Sequence, residues 1–365
     1  MKIGIMLRGI EEKQGTGIYT RNLMDKLLTL DRTNEYVLFY RDPACIGRYV
    51  GHKNVTERLV EGAGKAAWDQ LKIPMAARRE NVDLIFHPKF TLPLLAGRKT
   101  VMTIHGASWF VHPELYRKSE IAYIRAFMPL YCRKATAILS NSELTTRDFV
   151  RILRLDPAKV HTVWLGAHER FKVIPDVGML DAARREYNLP DRFILAVSRY
   201  DPRKNFGNLI EAFRILRKRT PCKLVVTGLR CERYREEYGL DKDGTAADVR
   251  FLDWVDQEKL PALYNMADCL FFPSVYEEFG IPTCEAMACG CPVVVSTTGA
   301  LPELAGDAGI LVDPFNPAKM ADALERVVTD DAYRKEYAGR ALKRGALFTW
   351  DRCAQETLKV LNSLA

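Results

Sequence analysis

The stretch Pro273–Gly290, PSVYEEFGIPTCEAMACG, says most about the fold and chemistry of this chain. The apolar run that ends at Pro273 predicts a buried strand, and a helix is predicted to begin near Thr283. Glu277 would lie between them, at the sheet edge where α/β proteins bind ligands. Glu285 would fall in the first helical turn, a position that favours anionic ligands, and its carboxylate could bind a ribose diol. Taken alone, each glutamate is more simply interpreted as a solvated or helix-start charge.

The same alternation of short apolar runs and helical patterns extends outward along the whole chain. In the first half, strands are predicted at Lys2–Leu7, Tyr36–Tyr40, Leu84–His87, Thr100–His105, Ala137–Asn141 and Thr162–Leu165. In the second half they are predicted at Phe193–Ser198, Lys223–Thr227, Val249–Leu252, Cys269–Pro273, Pro292–Ser296 and Gly309–Val312. Strands that alternate with helices predict parallel sheets covered on both faces. Because the pattern occurs twice, we expect two doubly wound α/β domains, 1–168 and 193–346, joined by a linker at 169–192.

Composition narrows the class of protein. The 365 residues are 48% hydrophobic and 27% charged, as in ordinary globular proteins. No apolar run is long enough to span a membrane, the N-terminus does not read as a signal peptide, and nine cysteines lack metal-ligand spacing. We therefore expect a cytoplasmic protein with reduced thiols. The net charge of +8 suits an anionic membrane surface or a phosphorylated small molecule. Nucleic acid is the weakest candidate, since the basic residues are dispersed.

A second informative segment is SRYDPRKNFGNLIEAF, residues 198–213, which follows a predicted strand. Arg199 and Lys204 would lie where the strand passes into a helix, and Asn205 near the start of that helix. Two cations at the carboxyl end of a strand suit a diphosphate, because Arg offers a planar fork and Lys a point charge. A solvated basic loop is the simpler alternative.

Two features of the first half complete the candidate site. Gly15 and Gly17 form a strand-to-helix turn that opens the predicted helix Ile18–Leu30 and could let backbone N–H groups approach a phosphate. His105 ends a predicted strand, where a neutral imidazole could form a hydrogen bond with a ligand. Alone, the glycines are equally consistent with a tight turn, and the histidine is more often structural.

The central stretch resembles the signature E-x-F-G-x-P-x-x-E-A-M-A-x-G-x-P-V-V of the large family of retaining GT-B glycosyltransferases. The matching positions are Glu277, Phe279, Gly280, Pro282, Glu285, Ala286, Met287, Ala288, Gly290, Pro292, Val293 and Val294. One position departs from the pattern: Glu278 stands where the family more often has glycine, and it would add a charge beside the sugar pocket. A second departure follows His105, since the family usually has a His-Asp pair and this chain has His105-Gly106.

The resemblance implies a GT-B fold, two Rossmann-like domains that face a central cleft. It also implies that Arg199 and Lys204 bind the pyrophosphate of the sugar donor, and that His105 and Glu277 act on the transferred sugar. Further donor-binding residues on this basis are Gly15, Gly17, Glu278, Phe279, Gly280, Ile281 and Glu285, with Val255, Leu260 and Tyr264 beside the base. These last three could equally be core residues. Residues 347–365 resemble the final segment that returns to the first domain.

The function implied is retaining transfer of a hexose from a nucleotide diphosphate sugar, with GDP-mannose favoured, to a glycan or lipid-linked glycan in polysaccharide assembly. We expect no cofactor, no bound metal and no nucleic acid partner. Two alternatives remain at this point: a GT-B epimerase or phosphorylase that uses the same cleft, and a non-catalytic protein that binds sugar nucleotides.

The stretch 117–135, RKSEIAYIRAFMPLYCRKA, suggests a further partner. At 100° per residue, one side of the helix would carry Ile121, Ile124, Phe127, Met128 and Tyr131, and another would carry Lys118, Arg125 and Arg133. Such a helix could lie on the anionic inner face of the plasma membrane, which would make the protein peripheral. Its apolar side could equally pack on the first sheet.

Overall fold

The computed structural model describes residues 1–12, 15–62 and 64–365. Contacts divide the chain into an N-terminal unit, Met1–Gly166 with Trp350–Ala365, and a C-terminal unit, Ala167–Thr349. The segment 169–192, for which we predicted a linker, groups with the C-terminal unit and contains a helix. The last helix groups with the N-terminal unit.

The described part of the N-terminal unit contains a seven-stranded parallel sheet in the order β3-β2-β1-β4-β5-β6-β7. Its strands are β1 (Lys2–Met6), β2 (Glu35–Tyr40), β3 (Val55–Leu59), β4 (Leu84–His87), β5 (Lys99–Ile104), β6 (Ala137–Ser140) and β7 (Val160–Thr162). Its helices are α1 (Thr16–Leu30), α2 (Lys65–Ala67), α3 (Ile73–Arg79), α4 (Ser108–Val111), α5 (Lys118–Lys134) and α6 (Glu143–Leu153). Among the described residues, no helix is both long and apolar enough to cross a bilayer.

The C-terminal unit contains a six-stranded parallel sheet in the order β10-β9-β8-β11-β12-β13. Its strands are β8 (Ile194–Val197), β9 (Leu224–Thr227), β10 (Val249–Leu252), β11 (Cys269–Phe272), β12 (Val293–Ser296) and β13 (Gly309–Val312). Its helices are α7 (Val177–Tyr187), α8 (Phe206–Arg217), α9 (Arg233–Glu237), α10 (Leu260–Met266), α11 (Ile281–Ala288), α12 (Leu301–Ala305), α13 (Pro317–Thr329) and α14 (Asp331–Gly345). The final helix, α15 (Trp350–Asn362), packs on α1, where Lys26 and Asp351 form an ion pair of 3.1 Å.

The sequence explains why these strands lie in the interior of parallel sheets. The strand β12 reads VVVS and β9 reads LVVT, and every residue of both is buried. Such β-branched runs fit strands covered by helices on both faces. Strand order reverses between β1 and β4 in one sheet and between β8 and β11 in the other. These switch points are where open α/β sheets bind ligands, at the carboxyl ends of the strands.

The predicted α/β architecture of two parallel sheets is confirmed, and four details of the prediction were wrong. The strand β3, VTERL, was missed because it is only partly buried and lacks an apolar run. The strand β7 lies two residues earlier than we expected. In α5, Ile121, Ile124, Met128 and Tyr131 are buried as the periodicity suggested, but Phe127 is exposed. The helix α11 begins at Ile281 rather than near Thr283, which moves Glu285 beyond the first helical turn.

Candidate active site

At the switch point of the C-terminal unit, hydrogen bonds join the loop after β8 to the loops after β11 and β13. Asn205 adopts a left-handed conformation, φ 56°, at the start of α8. Its side-chain amide donates to the carbonyl oxygens of Pro273 and Pro314, at 3.0 and 2.7 Å. The N–H of Val275 donates to the carbonyl oxygen of Arg203 at 2.9 Å. Residues 68 to 109 positions apart in sequence therefore meet at one sheet edge.

Lys204 and Glu277 form the central ion pair of this edge. The ammonium group of Lys204 donates to a carboxylate oxygen of Glu277 at 2.6 Å, and each side chain is only 13% exposed. The same ammonium lies 4.4 Å from the centroid of the Phe272 ring. Poorly hydrated charges interact more strongly than charges in bulk water. The structure thus brings together a cation that can bind phosphate and the carboxylate that we predicted for sugar chemistry.

The backbone of the Glu277 loop is held against the loop that follows β12. The N–H of Ala300 donates to the carbonyl oxygen of Glu277 at 2.9 Å. Gly299 adopts φ +66°, and a Cβ atom there would lie 2.6 Å from the backbone nitrogen of Glu277. At Gly280, which precedes α11, φ is +100° and a Cβ atom would lie 2.7 Å from the side chain of Leu301. Both positions therefore require glycine. The loop has a fixed path.

Arg199 and Arg203 share one carboxylate, that of Asp201, which we did not single out from the sequence. Asp201 accepts from Arg199 at 2.9 Å and from Arg203 at 2.9 Å. Burial opposes the ionisation of Asp201, but the hydrogen bonds and charge of Arg203 outweigh it and hold its pKa well below the usual range. Asp201 also accepts from the Arg203 N–H and so caps a 3-10 turn, Pro202–Lys204. An Asp followed by Pro is a sequence signal for such a turn.

Glu285 is the fifth residue of α11 and is 8% exposed. It accepts a hydrogen bond of 3.1 Å from the hydroxyl of Tyr264. Burial raises the pKa of Glu285 to about 7, while the Tyr264 hydrogen bond and the charge of Arg170 act in the opposite direction. A buried carboxylate with one protein partner retains acceptor capacity, because its two oxygens can accept about four hydrogen bonds. Glu285 can therefore receive a ribose diol.

The remaining candidates of the C-terminal unit are mostly interior. Val255, Leu260, Tyr264 and Phe279 are buried, and Ile281 is half-buried. Tyr264 has no exposed surface, so it would act on a nucleotide through Glu285 rather than by direct contact. Phe279 packs edge-on against Phe348, with ring centroids 6.1 Å apart. These side chains support the loops of the site.

In the N-terminal unit, Gly15 and Gly17 shape the entry to α1. Gly15 precedes the helix with φ 51° and is exposed. Gly17 is buried, and a Cβ atom there would overlap the carbonyl oxygen of Glu12. Arg21 holds the same loop by donating to the carbonyl oxygens of Ile10 and Glu12. The two glycines thus let the described part of the loop after β1 pack directly on the first turn of α1.

His105 follows β5 and is half-buried. Its Nε2 lies 2.9 Å from the carbonyl oxygen of Pro88. A carbonyl can only accept, so Nε2 carries the hydrogen and Nδ1 carries the lone pair in the neutral ring. Burial lowers the pKa of His105 to about 4, the Pro88 carbonyl opposes the shift, and the charge of Lys89 adds to it. His105 is therefore neutral at physiological pH and can accept a hydrogen bond from a sugar hydroxyl.

Sequence reasoning missed several charged groups of the N-terminal unit. Lys89 is buried after β4 and pairs with Glu12 at 2.6 Å. Deeper in the unit, Arg8 donates to both oxygens of Asp69 at 2.9 and 2.8 Å. These groups come from segments up to 77 residues apart, and none of the segments carries a recognisable motif. No local signal could have found them.

Two family matches cover most of the chain. Residues 14–169 match the family described as Glycosyltransferase Family 4, and residues 181–344 match Glycosyl transferases group 1. The chain is similar to the O-antigen chain mannosyltransferase B of Escherichia coli, with 30% identity over 292 residues, which is 79% of this chain and 76% of that protein.

Two solved structures have the same fold as this chain. Sucrose-phosphate synthase from Thermosynechococcus elongatus superposes with a TM-score of 0.78 and 20% identity, covering 100% of this chain and 99% of the other. HepE of Anabaena, solved with UDP and glucose, superposes with a TM-score of 0.76 and 20% identity over 100% of both chains. These likenesses show a shared GT-B fold. The family matches and the Escherichia coli relative show that the chain belongs to the glycosyltransferases of group 1 and family 4.

Proposed function

We propose that this glycosyltransferase transfers a hexose, with mannose favoured, from a nucleoside diphosphate to a glycan or lipid-linked glycan in polysaccharide biosynthesis, with retention of configuration. The observation that carries the proposal is the Lys204–Glu277 pair, with Arg199 beside it, at the switch point of a parallel sheet. Mannose is favoured because the 30% identical relative is named as an O-antigen mannosyltransferase. GDP is favoured as its carrier on the resemblance of the two motifs to bacterial mannosyltransferases.

In the proposed reaction, Arg199 and Lys204 bind the pyrophosphate and Glu285 binds the ribose. Binding of the pyrophosphate draws Lys204 toward phosphate oxygens and leaves the Glu277 carboxylate available to the sugar. The bond from the anomeric carbon to the diphosphate breaks, and the acceptor oxygen bonds to the same face of that carbon. The acceptor proton passes to the departing phosphate oxygen. Two protein cations stabilise the diphosphate as it leaves, which is electrostatic catalysis that needs no metal ion.

His105 is proposed to accept a hydrogen bond from a hydroxyl of the transferred sugar through Nδ1. Its low pKa supports this role, because the neutral ring keeps a lone pair on Nδ1 that can accept the hydrogen bond. Gly15 and Gly17 are proposed to bring backbone N–H groups toward the phosphates.

A panel of sugar nucleotides tests the donor. At a concentration of about 100 Kd, a ligand adds roughly 2.7 kcal/mol to the free energy of unfolding, so GDP-mannose should raise the melting temperature more than UDP-glucose does. Lys204→Ala should remove most of the shift. Product analysis without an acceptor separates the alternatives, since an epimerase would form a new sugar nucleotide. A protein that binds a donor but transfers nothing to any glycan acceptor would contradict the proposal.

We also propose that the protein meets an anionic membrane through α5. On this helix Tyr123, Phe127 and Leu130 are exposed at helical spacing, and the rings of Tyr123 and Phe127 stack 4.9 Å apart. Exposed aromatic rings suit the membrane interface. The cations Lys118, Arg125 and Arg133 are also exposed. Each cation near an anionic surface contributes about 1 kcal/mol.

Vesicle sedimentation tests this second proposal. The protein should sediment with anionic vesicles at low salt and remain in the supernatant with neutral ones. Replacing Lys118, Arg125 and Arg133 by Gln should abolish binding. The matched control replaces three exposed lysines of the C-terminal unit, Lys319, Lys335 and Lys343, by Gln and should bind normally. Equal sedimentation of the two triple variants would contradict a role for α5.

A further inference from the structure

Glu278, the residue that departs from the family signature, does not stand free beside Glu277. Its carboxylate forms an ion pair of 3.5 Å with Arg203, and the two side chains are each 19% exposed. Arg203 is therefore shared by two carboxylates, because its other terminal nitrogen donates to Asp201 at 2.9 Å. The cationic partner of the unusual glutamate comes from the loop that also contains Arg199 and Lys204.

Of the two arginines on this loop, Arg203 has the larger number of hydrogen-bond and ion-pair partners. Besides its side-chain bonds, its carbonyl oxygen accepts from the N–H of Val275 and its N–H donates to Asp201. Arg199 has Asp201 as its carboxylate partner, and its side chain is 47% exposed. An exposed guanidinium can leave a carboxylate for a phosphate at little cost, whereas a shielded one with several partners cannot. The two arginines therefore differ in role: Arg199 can bind the pyrophosphate, and Arg203 is held in place by its partners.

We infer that Arg203 and Glu278 form a brace that positions the Glu277 loop, so that Glu278 acts on sugar binding through Arg203 rather than by contact with the sugar. This inference rests on the proposed function, because it takes Glu277 to meet the sugar. Glu277 and Glu278 are consecutive and Lys204 follows Arg203, so each cation faces one glutamate. Without Arg203, Glu278 would lose the ion pair that joins its loop to the loop of Lys204.

A double-mutant cycle with Arg203→Gln and Glu278→Gln tests the brace. Calorimetry gives the Kd of GDP-mannose and of GDP, or of UDP-glucose and UDP if the wild type selects these. A brace predicts that each single variant weakens the sugar nucleotide about five- to tenfold while the Kd of the nucleoside diphosphate stays within twofold. The double variant should be no weaker than the weaker single variant, because each change removes the same interaction. Arg217→Gln with Asp248→Asn, a pair of 2.7 Å in the same unit, is the control and should leave both Kd values unchanged.

Three outcomes would overturn the brace. If Glu278 contacts the sugar itself, Glu278→Gln weakens the sugar nucleotide but Arg203→Gln does not. If Arg203 binds the pyrophosphate, Arg203→Gln weakens the nucleoside diphosphate as much as the sugar nucleotide. If the two single effects multiply in the double variant, the residues act independently. A wild type that binds no sugar nucleotide would instead contradict the proposed function, so the two failures can be told apart.

Discussion

Both units carry a Lys–Glu ion pair at the switch point of their sheet, and the two pairs differ in shielding. Lys204–Glu277 and Lys89–Glu12 have the same separation, 2.6 Å. In the C-terminal unit both side chains are 13% exposed, whereas in the N-terminal unit Lys89 is 10% and Glu12 is 45% exposed. Solvent screens Glu12 but hardly reaches Glu277. The two pairs have the same separation but differ in solvent screening. We therefore expect catalysis to depend on the shielded carboxylate, Glu277.

The largest effect should come from Glu277→Ala. A charged group aimed at the developing charge of a transition state contributes about 100- to 1,000-fold to kcat, and we expect a loss of that size. The nucleoside diphosphate should still bind, because Arg199, Lys204 and Glu285 remain. Steady-state kinetics and calorimetry measure the two quantities, with Glu325→Ala on α13, away from this sheet edge, as the control. Turnover within threefold of the wild type would remove Glu277 from the catalytic residues.

Glu285, in the C-terminal unit, should make the free energy of unfolding depend on pH. The variant Glu285→Gln isolates this contribution. Burial raises the pKa of Glu285 from 4.5 to about 7, so the folded state holds a proton that the unfolded state releases. This group therefore stabilises the fold fully below pH 4.5 and loses that contribution as pH rises to 7. The lost stability is about 3 kcal/mol at most, from 1.36 kcal/mol for each pKa unit.

Denaturant unfolding between pH 4.5 and 7 measures this difference. Glutamine does not titrate, so Glu285→Gln should gain stability relative to the wild type across the window. His87 and His105, whose pKa values burial lowers to about 4, affect both proteins alike and cancel in the comparison. Parallel pH profiles for the two proteins would show that Glu285 is not shifted upward.

A smaller effect is expected at the N-terminal edge from His105→Ala. Loss of one hydrogen bond to the sugar should lower kcat about tenfold, which corresponds to roughly 1.4 kcal/mol. The Kd of the nucleoside diphosphate should not change. With its pKa near 4, His105 should add no step to the pH dependence of kcat between pH 5.5 and 8. His112→Ala, a histidine of the same unit outside the sheet edge, is the control, and equal losses in the two variants would contradict the assignment.

The smallest effect should come from Glu12→Gln, which tests the comparison of the two pairs directly. Solvent screens the Glu12 end of the pair, and the amide oxygen of Gln can still accept a hydrogen bond from the buried Lys89 ammonium, so the unfolding free energy should fall by only about 1–2 kcal/mol. Turnover should stay within about threefold of the wild type. If Glu12→Gln instead lost as much activity as Glu277→Ala, the difference in solvent exposure would not determine which of the two pairs is needed for catalysis.

The sequence marks the candidate residues of the C-terminal unit more clearly than those of the N-terminal unit, for a physical reason. Glu277, Phe279, Gly280 and Glu285 lie within nine residues, because one strand, one loop and one helix turn position them all. A contiguous motif of this kind can be recognised in the amino-acid sequence alone. In the N-terminal unit, Lys89 and Glu12 meet across two strand ends, and no local pattern marks either residue.

The alternation of apolar runs and helical periods determined the two parallel sheets, because burial on both faces requires continuous β-branched strands. It could not determine β3, whose partly solvated residues leave no such pattern. Only the tertiary structure decided that Arg203 faces Glu278, that Asp201 is shared by two arginines, and that Phe127 is exposed. Each of these depends on the distance between side chains from separate elements and on the water that reaches them. Sequence spacing fixes which face of a helix or strand a side chain occupies, but the packing of other elements against that face fixes its partners, its exposure and its charge.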